Sequence, residues 1–306
     1  MLAIGPIAAD VSETFDRFWN HKLAVPMEAY TAGKELPDLA TARAGIDQKT
    51  IDTNKEIFER SLSSTLIQDL KEERAAYFPA DSYVVTDDPE KLLNKVSDEY
   101  KVLVTEVATL VDEAVSEVLV ITPYFIPGKG GVEFWRHITS KGVRVVIVTN
   151  SLASNNHTPV HSGYARYRHD MVDAGVELYE IRVDSSKVPE GSDEQGYDKV
   201  TLHTKAIAID RSQLVIGSLN LDPRSIDINT EMGVVIENKE LTGGMLEKFY
   251  ANLPEFTYRV TENEKGSLRW TTYIDGQAVV EKREPQTSAW LRFKAIMMRI
   301  FPEGQL

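Results

Sequence analysis

Between His203 and Asn220 the chain gathers an imidazole (His203), an ammonium (Lys205), a carboxylate (Asp210), a hydroxyl (Ser218) and a carboxamide (Asn220). Residues 201–209 alternate and are rich in β-branched side chains, which predicts a strand with His203 and Lys205 on one face. Asp210-Arg211-Ser212-Gln213 supplies turn chemistry, and Leu214 to Ser218 returns as a second strand with Ser218 and Asn220 two apart. Such a hairpin offers a nucleophile or general acid, a fixed cation and two neutral hydrogen-bonding groups on one surface. The set suits a phosphodiester. Imidazole attacks phosphorus or protonates the leaving oxygen, while Lys205 and Asn220 stabilise the non-bridging oxygens as charge develops. These steps need no metal and no cofactor. Singly, each residue has an ordinary structural explanation, because a lone strand histidine is usually core or surface and Gly-Ser-Leu-Asn is usually a turn. As one fixed pattern they make coincidence the poorer explanation.

The elements that must hold this hairpin follow from periodicity. Residues 46–76 are charged, with Ile51, Phe58, Leu62, Leu66 and Leu70 near helical spacing, which predicts a connecting helix. Turn chemistry follows from Tyr83 to Lys91, then a helix from Leu92 to Val115. Glu117 to Thr122, Val143 to Thr149 and Val176 to Ile181 are apolar runs short enough for buried strands, separated by helices over Gly131 to Lys141 and Gly163 to Ala174. This alternation predicts an α/β fold, a mostly parallel sheet covered by helices on both faces, with ligand groups at the carboxyl ends of strands. The motif hairpin joins that sheet. One strand end leads through Thr149-Asn150 to His157 and on to His161-Ser-Gly-Tyr164-Ala-Arg166-Tyr-Arg168, a loop and helix start dense in donors for an anionic substrate. Arg168 and His169 read as solvated.

Composition narrows the classes. At 306 residues the chain can form one large or two small cores, and with no cysteine it has neither disulfides nor thiolate chemistry. The formal charge of -13 argues against a surface built to neutralise nucleic acid. No apolar run reaches the roughly 20 residues that span a bilayer, and no signal region opens the chain.

The spacing His203-x-Lys205, Asp210, then Gly217-Ser218-x-Asn220 resembles the signature of the phospholipase D superfamily, with every element intact. The resemblance implies a phospholipase D-like α-β-α sandwich with a mostly parallel or mixed central sheet. It implies a phosphohistidine intermediate, with one motif histidine as nucleophile and a second as general acid and base. These roles fall on His203, Lys205, Asp210, Ser218 and Asn220, with Glu231 as the residue that orients the imidazole; Asp210, in a turn, could equally be structural. Two such motifs are needed, and no other histidine of this chain begins His-x-Lys. An internal repeat accounts for the gap. Met1 to Ile4 and Phe15 to Trp19 align without a gap on Met232 to Val235 and Leu246 to Tyr250, at one constant offset of 231 residues. The opening segment is then the strand and helix that follow a first motif, and that motif would lie before Met1. The domains expected are 1–80, a remnant of a first domain with a helical connector, and 81–306, a complete second domain. The missing motif would come from an absent N-terminal part or from a homodimer.

Further segments resemble bacterial cardiolipin synthases of the phospholipase D type: Thr122-Pro-Tyr-Phe-Ile-Pro127, Thr149-Asn-Ser-Leu-Ala-Ser154 and His161 to Arg168. The C-type subgroup is matched best, through Glu284-Pro-Gln-Thr-Ser-Ala-Trp290 and Pro302-Glu-Gly-Gln-Leu306. This resemblance implies that His161, Tyr164 and Arg166 bind substrate. It also implies a phosphatidyltransferase that makes cardiolipin from phosphatidylglycerol and a second phospholipid, possible donors being phosphatidylglycerol and phosphatidylethanolamine, at the cytoplasmic face of a bacterial inner membrane. Water as acceptor would make the same site a phospholipase, a nucleic-acid phosphodiester would make it a nuclease, and a single motif is compatible with a non-catalytic lipid-binding fragment. Trp290, Leu291, Phe293, Ile296, Met297, Ile300 and Phe301 alternate with Arg292, Lys294 and Arg299. That pattern fits a basic amphipathic segment at a membrane surface and, equally, a helix packing its apolar side on its own domain.

Overall fold

A computed structural model describes residues 2–46, 48–72, 77–93, 98–184 and 201–300. Packing divides the chain into two compact units, Arg17–Pro79 and the remainder, Met1–Asp16 with Ala80–Leu306. Helix α1 (Ile7–Trp19) covers the predicted helix of the opening segment. The strand predicted before it does not form: Leu2 to Ile4 are exposed and carry no ladder, and an extended segment has no stability without a partner for its amides and carbonyls. The smaller unit holds α2 (Met27–Thr31), α3 (Leu39–Ala44), α4 (Gln48–Leu62) and α5 (Thr65–Lys71). The connecting helix is therefore two helices, broken at Ser63-Ser64, where Ser64 is extended. Serine hydroxyls compete for backbone partners and favour such ends.

The larger unit is built on a ten-stranded sheet in the order β1-β7-β6-β5-β2-β3-β4-β8-β9-β10. Its strands are β1 (Asp81–Thr86), β2 (Glu117–Ile121), β3 (Arg144–Asn150), β4 (Glu177–Ile181), β5 (Ala206–Ile209), β6 (Gln213–Gly217), β7 (Met232–Glu237), β8 (Thr257–Glu262), β9 (Leu268–Ile274) and β10 (Gln277–Glu281). Only β2, β3 and β4 run parallel to their neighbours in sequence. Their crossovers are α7 (Gly128–Ser140) and the pair α8 (Thr158–Tyr164) and α9 (Arg168–Asp173), where a single helix was expected. Every other pairing among these ten strands is antiparallel. The sheet is thus mixed rather than mostly parallel. The links β5–β6, β8–β9 and β9–β10 are too short for a crossover and can only reverse the chain. Asp210 and Arg211 make the first of these reversals with φ of 50° and 56°, a region that aspartate tolerates better than most residues.

Strand β1 falls where turn chemistry was read, because Asp87-Asp88-Pro89 directly after it dominates the local signal. The helix predicted over Leu92 to Val115 is α6 (Val102–Asp112), and residues 94–97 lie outside the described part. The chain continues with α10 (Pro223–Asp227), α11 (Lys239–Phe256) and α12 (Ala289–Met297). Alternation along each strand sends successive side chains to opposite faces. Val118 and Val120 of β2 join one apolar cluster with Val107 of α6, Trp135 of α7 and Met171 of α9. Leu119 and Ile121 join the other with Ile7 of α1 and Leu246 and Leu253 of α11. Helices cover both faces, as an α-β-α sandwich requires.

Candidate active site

The pairing of β5 with β2 stops at Ala206 opposite Ile121. Beyond Ile121 the chain runs into Thr122-Pro123, and proline has no amide with which to continue a ladder. His203 and Lys205 consequently lie on irregular backbone just outside the sheet rather than on a strand. Asn150, the last residue of β3, supplies the missing pairing. Its side-chain oxygen accepts from the Leu202 amide at 2.9 Å and its amide group donates to the Leu202 carbonyl at 3.0 Å. Asn150 is buried and is itself held by the Pro123 carbonyl at 3.2 Å and the Ser154 hydroxyl at 3.0 Å. The backbone beside His203 is therefore gripped by a side chain from a different βα unit. The sequence carried no signal for this role beyond the polar character of the strand end.

Antiparallel pairing of β5 to β2, β6 to β5 and β7 to β6 brings the start of β5, the end of β6 and the start of β7 to the end of the sheet where β2 and β3 finish. Lys205 donates from Nζ to the His203 carbonyl at 2.8 Å and lies 3.4 and 3.3 Å from His203 Nδ1 and Nε2. Burial lowers the Lys205 pKa, opposed by the carboxylates of Glu231 and Asp222. A partly dehydrated ammonium of this kind interacts strongly with phosphoryl oxygen. His203 itself is exposed.

Gly217 is required by close approach, since a Cβ there would meet the Met232 carbonyl oxygen at 2.3 Å and Gly233 Cα at 2.7 Å. The next residue, Ser218, donates its amide to the Met232 carbonyl at 2.9 Å, accepts the Met232 amide on its hydroxyl at 3.0 Å and donates that hydroxyl to Glu231. Glu231 is buried and also accepts from Asn229 at 3.4 Å. Among the described residues no hydrogen bond joins Glu231 to His203; in this geometry Glu231 orients Ser218. Asn220 donates to the Ser225 hydroxyl at 3.3 Å, while its Oδ1 is buried without a partner. It borders a cleft of about 400 Å³ lined also by Tyr124, His157, Asp222, Arg224 and Asn229. Asp210 points away from this surface. It accepts from the amides of Val115, Ser116 and Glu117 at 2.9, 2.8 and 3.0 Å and from the Ser116 hydroxyl at 2.7 Å. Burial opposes its ionisation, but those four donors outweigh it and hold the carboxyl below its usual range. Asp210 fastens the hairpin to the α6–β2 junction.

Residues 107–253, which include all of these groups, match the family described as cardiolipin synthase, PLD-like domain. Over these residues the chain is similar to a phospholipase D-like domain. It is 30% identical to cardiolipin synthase C of Escherichia coli (strain K12), over 99% of this chain and 64% of that protein. An uncharacterised protein of Helicobacter pylori (strain ATCC 700392 / 26695) is 27% identical over 100% of this chain and 60% of its own length. The crystal structure of a phospholipase D family member from Salmonella typhimurium has a TM-score of 0.43 at 18% identity, covering 59% of this chain and 99% of that one. The chain thus spans less than two thirds of the two relatives.

Around this site the buried charges are structural. Asp87 and Lys91, both 1% exposed, pair at 2.6 Å. Asp87 also accepts the Glu231 amide at 3.0 Å and the Leu103 amide at 3.1 Å, and Lys91 donates to the Ser225 carbonyl at 3.2 Å. This pair ties β1 and α6 to the loops that carry Glu231 and Asn220. Asp222 caps α10 by accepting the Ser225 amide at 2.8 Å, and burial raises its pKa from 3.8 to about 6. A carboxyl raised in the folded state loses stability as pH climbs from its unfolded to its folded value. Asp222→Asn keeps a good cap and removes the charge. The variant is expected to match the parent near about pH 4 and to exceed it by about 1 to 3 kcal/mol near about pH 7, as read by urea melts at the two pH values.

The residues expected to meet an anionic substrate are distributed differently. His161 and Tyr164 are drawn into a buried cluster centred on Arg168, which is 2% exposed rather than solvated. Arg168 donates from Nε to Glu180 at 2.7 Å and from Nη1 and Nη2 to Glu284, the latter contact at 3.1 Å. The Tyr164 hydroxyl donates to Glu180 at 2.8 Å, and the Trp270 indole donates to the same carboxylate at 3.0 Å. Arg166 is half-buried, and His169 pairs with Glu262. His161, Tyr164 and Arg168 therefore lock α8 and α9 to β4, β9 and the segment before α12.

Proposed function

We propose that this chain contributes one half of a phosphatidyl-transfer site that builds cardiolipin from phosphatidylglycerol and a second phospholipid. The observation that carries the reading is the meeting of His203, Lys205, Ser218, Asn220 and Glu231 at one end of the sheet, in a chain 30% identical to cardiolipin synthase C across 99% of its length. His203, exposed beside a partly dehydrated lysine, attacks the phosphorus of a phosphatidyl donor or protonates the leaving alcohol. Lys205 and Asn220 take the charge on the non-bridging oxygens. Phosphatidylglycerol then accepts the phosphatidyl group through its free hydroxyl, and the cleft beside Asn220, with Arg224 at its wall, receives headgroup atoms. His161 and Tyr164 enter through the packing of α8 against Arg168 and Glu180. Among the described residues no helix is long and apolar enough to cross a membrane.

Two histidines complete such a cycle, and the sequence holds one His-x-Lys. The other comes from sequence preceding this segment or from a second copy. The purified chain is expected to form no cardiolipin from vesicles of fluorescent phosphatidylglycerol when held as a monomer. Turnover in a monomeric fraction, lost in His203→Ala, would show the two-histidine requirement to be wrong. Hydrolysis to phosphatidic acid without cardiolipin in a two-motif form would favour a phospholipase.

A further inference from the structure

An ordinary surface helix buries its apolar side and shows its polar side to water. α12 and the turn that follows it, Met298–Ile300, do the reverse. Trp290 is 71% exposed, Phe293 52%, Ile296 58%, Met297 50% and Ile300 79%. Trp290 and Phe293 stack at 5.6 Å, forming one continuous patch. The opposite side is fastened to the domain by small and polar groups. Ala295 is buried, its carbonyl accepts the Ser162 hydroxyl at 2.7 Å, and Ser288 caps the helix by accepting the Leu291 amide at 3.1 Å. Arg292 donates to the Thr287 carbonyl at 2.6 Å, and Glu284, at the head of the same segment, is clamped by Arg168.

Charge and shape agree with the exposed patch. From Ser288 to Ile300 the chain has Arg292, Lys294 and Arg299 and no acid, within a protein of net charge -13. At the root of the helix lies a cavity of about 140 Å³ lined by His161, Ser162, Glu284, Arg292, Ile296 and Arg299. Arg168 can only donate, so its Nη2, 3.0 Å from His161 Nε2, makes that nitrogen the acceptor. The proton of neutral His161 then sits on Nδ1, which is buried without a partner. Glu284 is spent on Arg168: burial alone would raise its pKa, but the charge of Arg168 beside it keeps it well below the usual range. A cavity with two arginines and an unsatisfied donor suits a phosphate.

We propose that α12 with Met298–Ile300 docks the protein on an anionic phospholipid bilayer, the apolar patch entering the interface and the cavity at its root receiving a lipid phosphate. The occupant is a membrane rather than a protein partner because cations flank the patch on a chain whose net charge an anionic surface would otherwise repel. The inference extends the lipid-substrate reading, and its test measures binding without turnover.

The test is co-sedimentation of the full chain with vesicles of phosphatidylcholine, with and without about a third phosphatidylglycerol. Binding is expected with phosphatidylglycerol and at least tenfold weaker without it. Trp290→Ser with Phe293→Ser should weaken binding about tenfold or more, and Arg299→Gln about fivefold. His203→Ala should bind as the parent does, which separates this surface from the catalytic reading. Because these side chains are exposed, melting temperatures should stay within a few degrees of the parent. Binding unchanged in both patch and arginine variants, absence of binding by the parent, or a parent dimer that the double variant converts to monomer would each overturn the proposal.

Discussion

Replacing His203 by alanine is expected to lower cardiolipin formation by about 10⁴-fold or more in any form of the protein that unites two His-x-Lys motifs, with folding unaffected. The size follows from the role. A nucleophile or general acid in a covalent phosphoryl-transfer cycle acts as a unit with its partners, so its loss removes nearly the whole catalytic contribution of the set. Stability should not move, because His203 is exposed on irregular backbone and, among the described residues, its ring is hydrogen-bonded only to Lys205, at 3.3 to 3.4 Å. Lys205→Ala should cost about 10² to 10³, the range for removing one group that stabilises developing charge. Rate of cardiolipin formation against melting temperature checks both. A His203→Ala protein retaining a tenth of parental transfer would remove His203 from the chemistry.

Arg168→Met is expected to destabilise the fold by about 3 to 5 kcal/mol, the cost of removing one partner from a buried pair. Glu180 is 0% exposed and would keep only the Tyr164 hydroxyl and the Trp270 indole as donors. Glu284 would lose its cation as well, releasing the segment ahead of α12. Lysine is no remedy, because a single ammonium cannot serve two carboxylates with the geometry of the guanidinium fork. The pH dependence has a definite sign. In the parent, the depressed Glu284 contributes stability above its unfolded pKa that is lost as pH falls. In the variant, the stranded carboxylates are relieved by protonation, so the gap to the parent should narrow on acidification. Urea melts of both proteins across the carboxylate range measure it, and a constant gap would mean that the loss is packing alone.

Much of this was legible in the chain. The spacing from His203 to Asn220 pointed to phosphoryl transfer through its residue types, and apolar runs such as Val143 to Thr149 identified buried strands because burial on both faces leaves no polar position. Alternation also named the helices on both sides of the sheet. The strands β8, β9 and β10 were not read from the sequence, and a mostly parallel sheet was expected because parallel and antiparallel pairing impose the same local pattern and only the length of a connection distinguishes them. β1 was missed since its six residues end in Asp-Asp-Pro.

The sequence by itself determined which functional groups this protein has and that their spacing suits phosphoryl transfer. Tertiary structure alone decided what each of them does. Asn150 and Leu202, Arg168 and Glu284, Glu231 and Ser218 are pairs set by contacts across the fold. Arg168 is the plainest case, a cation that reads as solvated in sequence yet is buried because carboxylates from β4 and from the segment before α12 converge on it. Burial of a charge depends on what lies across the fold from it, and no local spacing encodes that. The same holds for α12: its pattern of apolar and basic residues is identical whether the apolar side faces a core or water, and only its packing through Ala295 and Ser162 shows that the apolar side faces out.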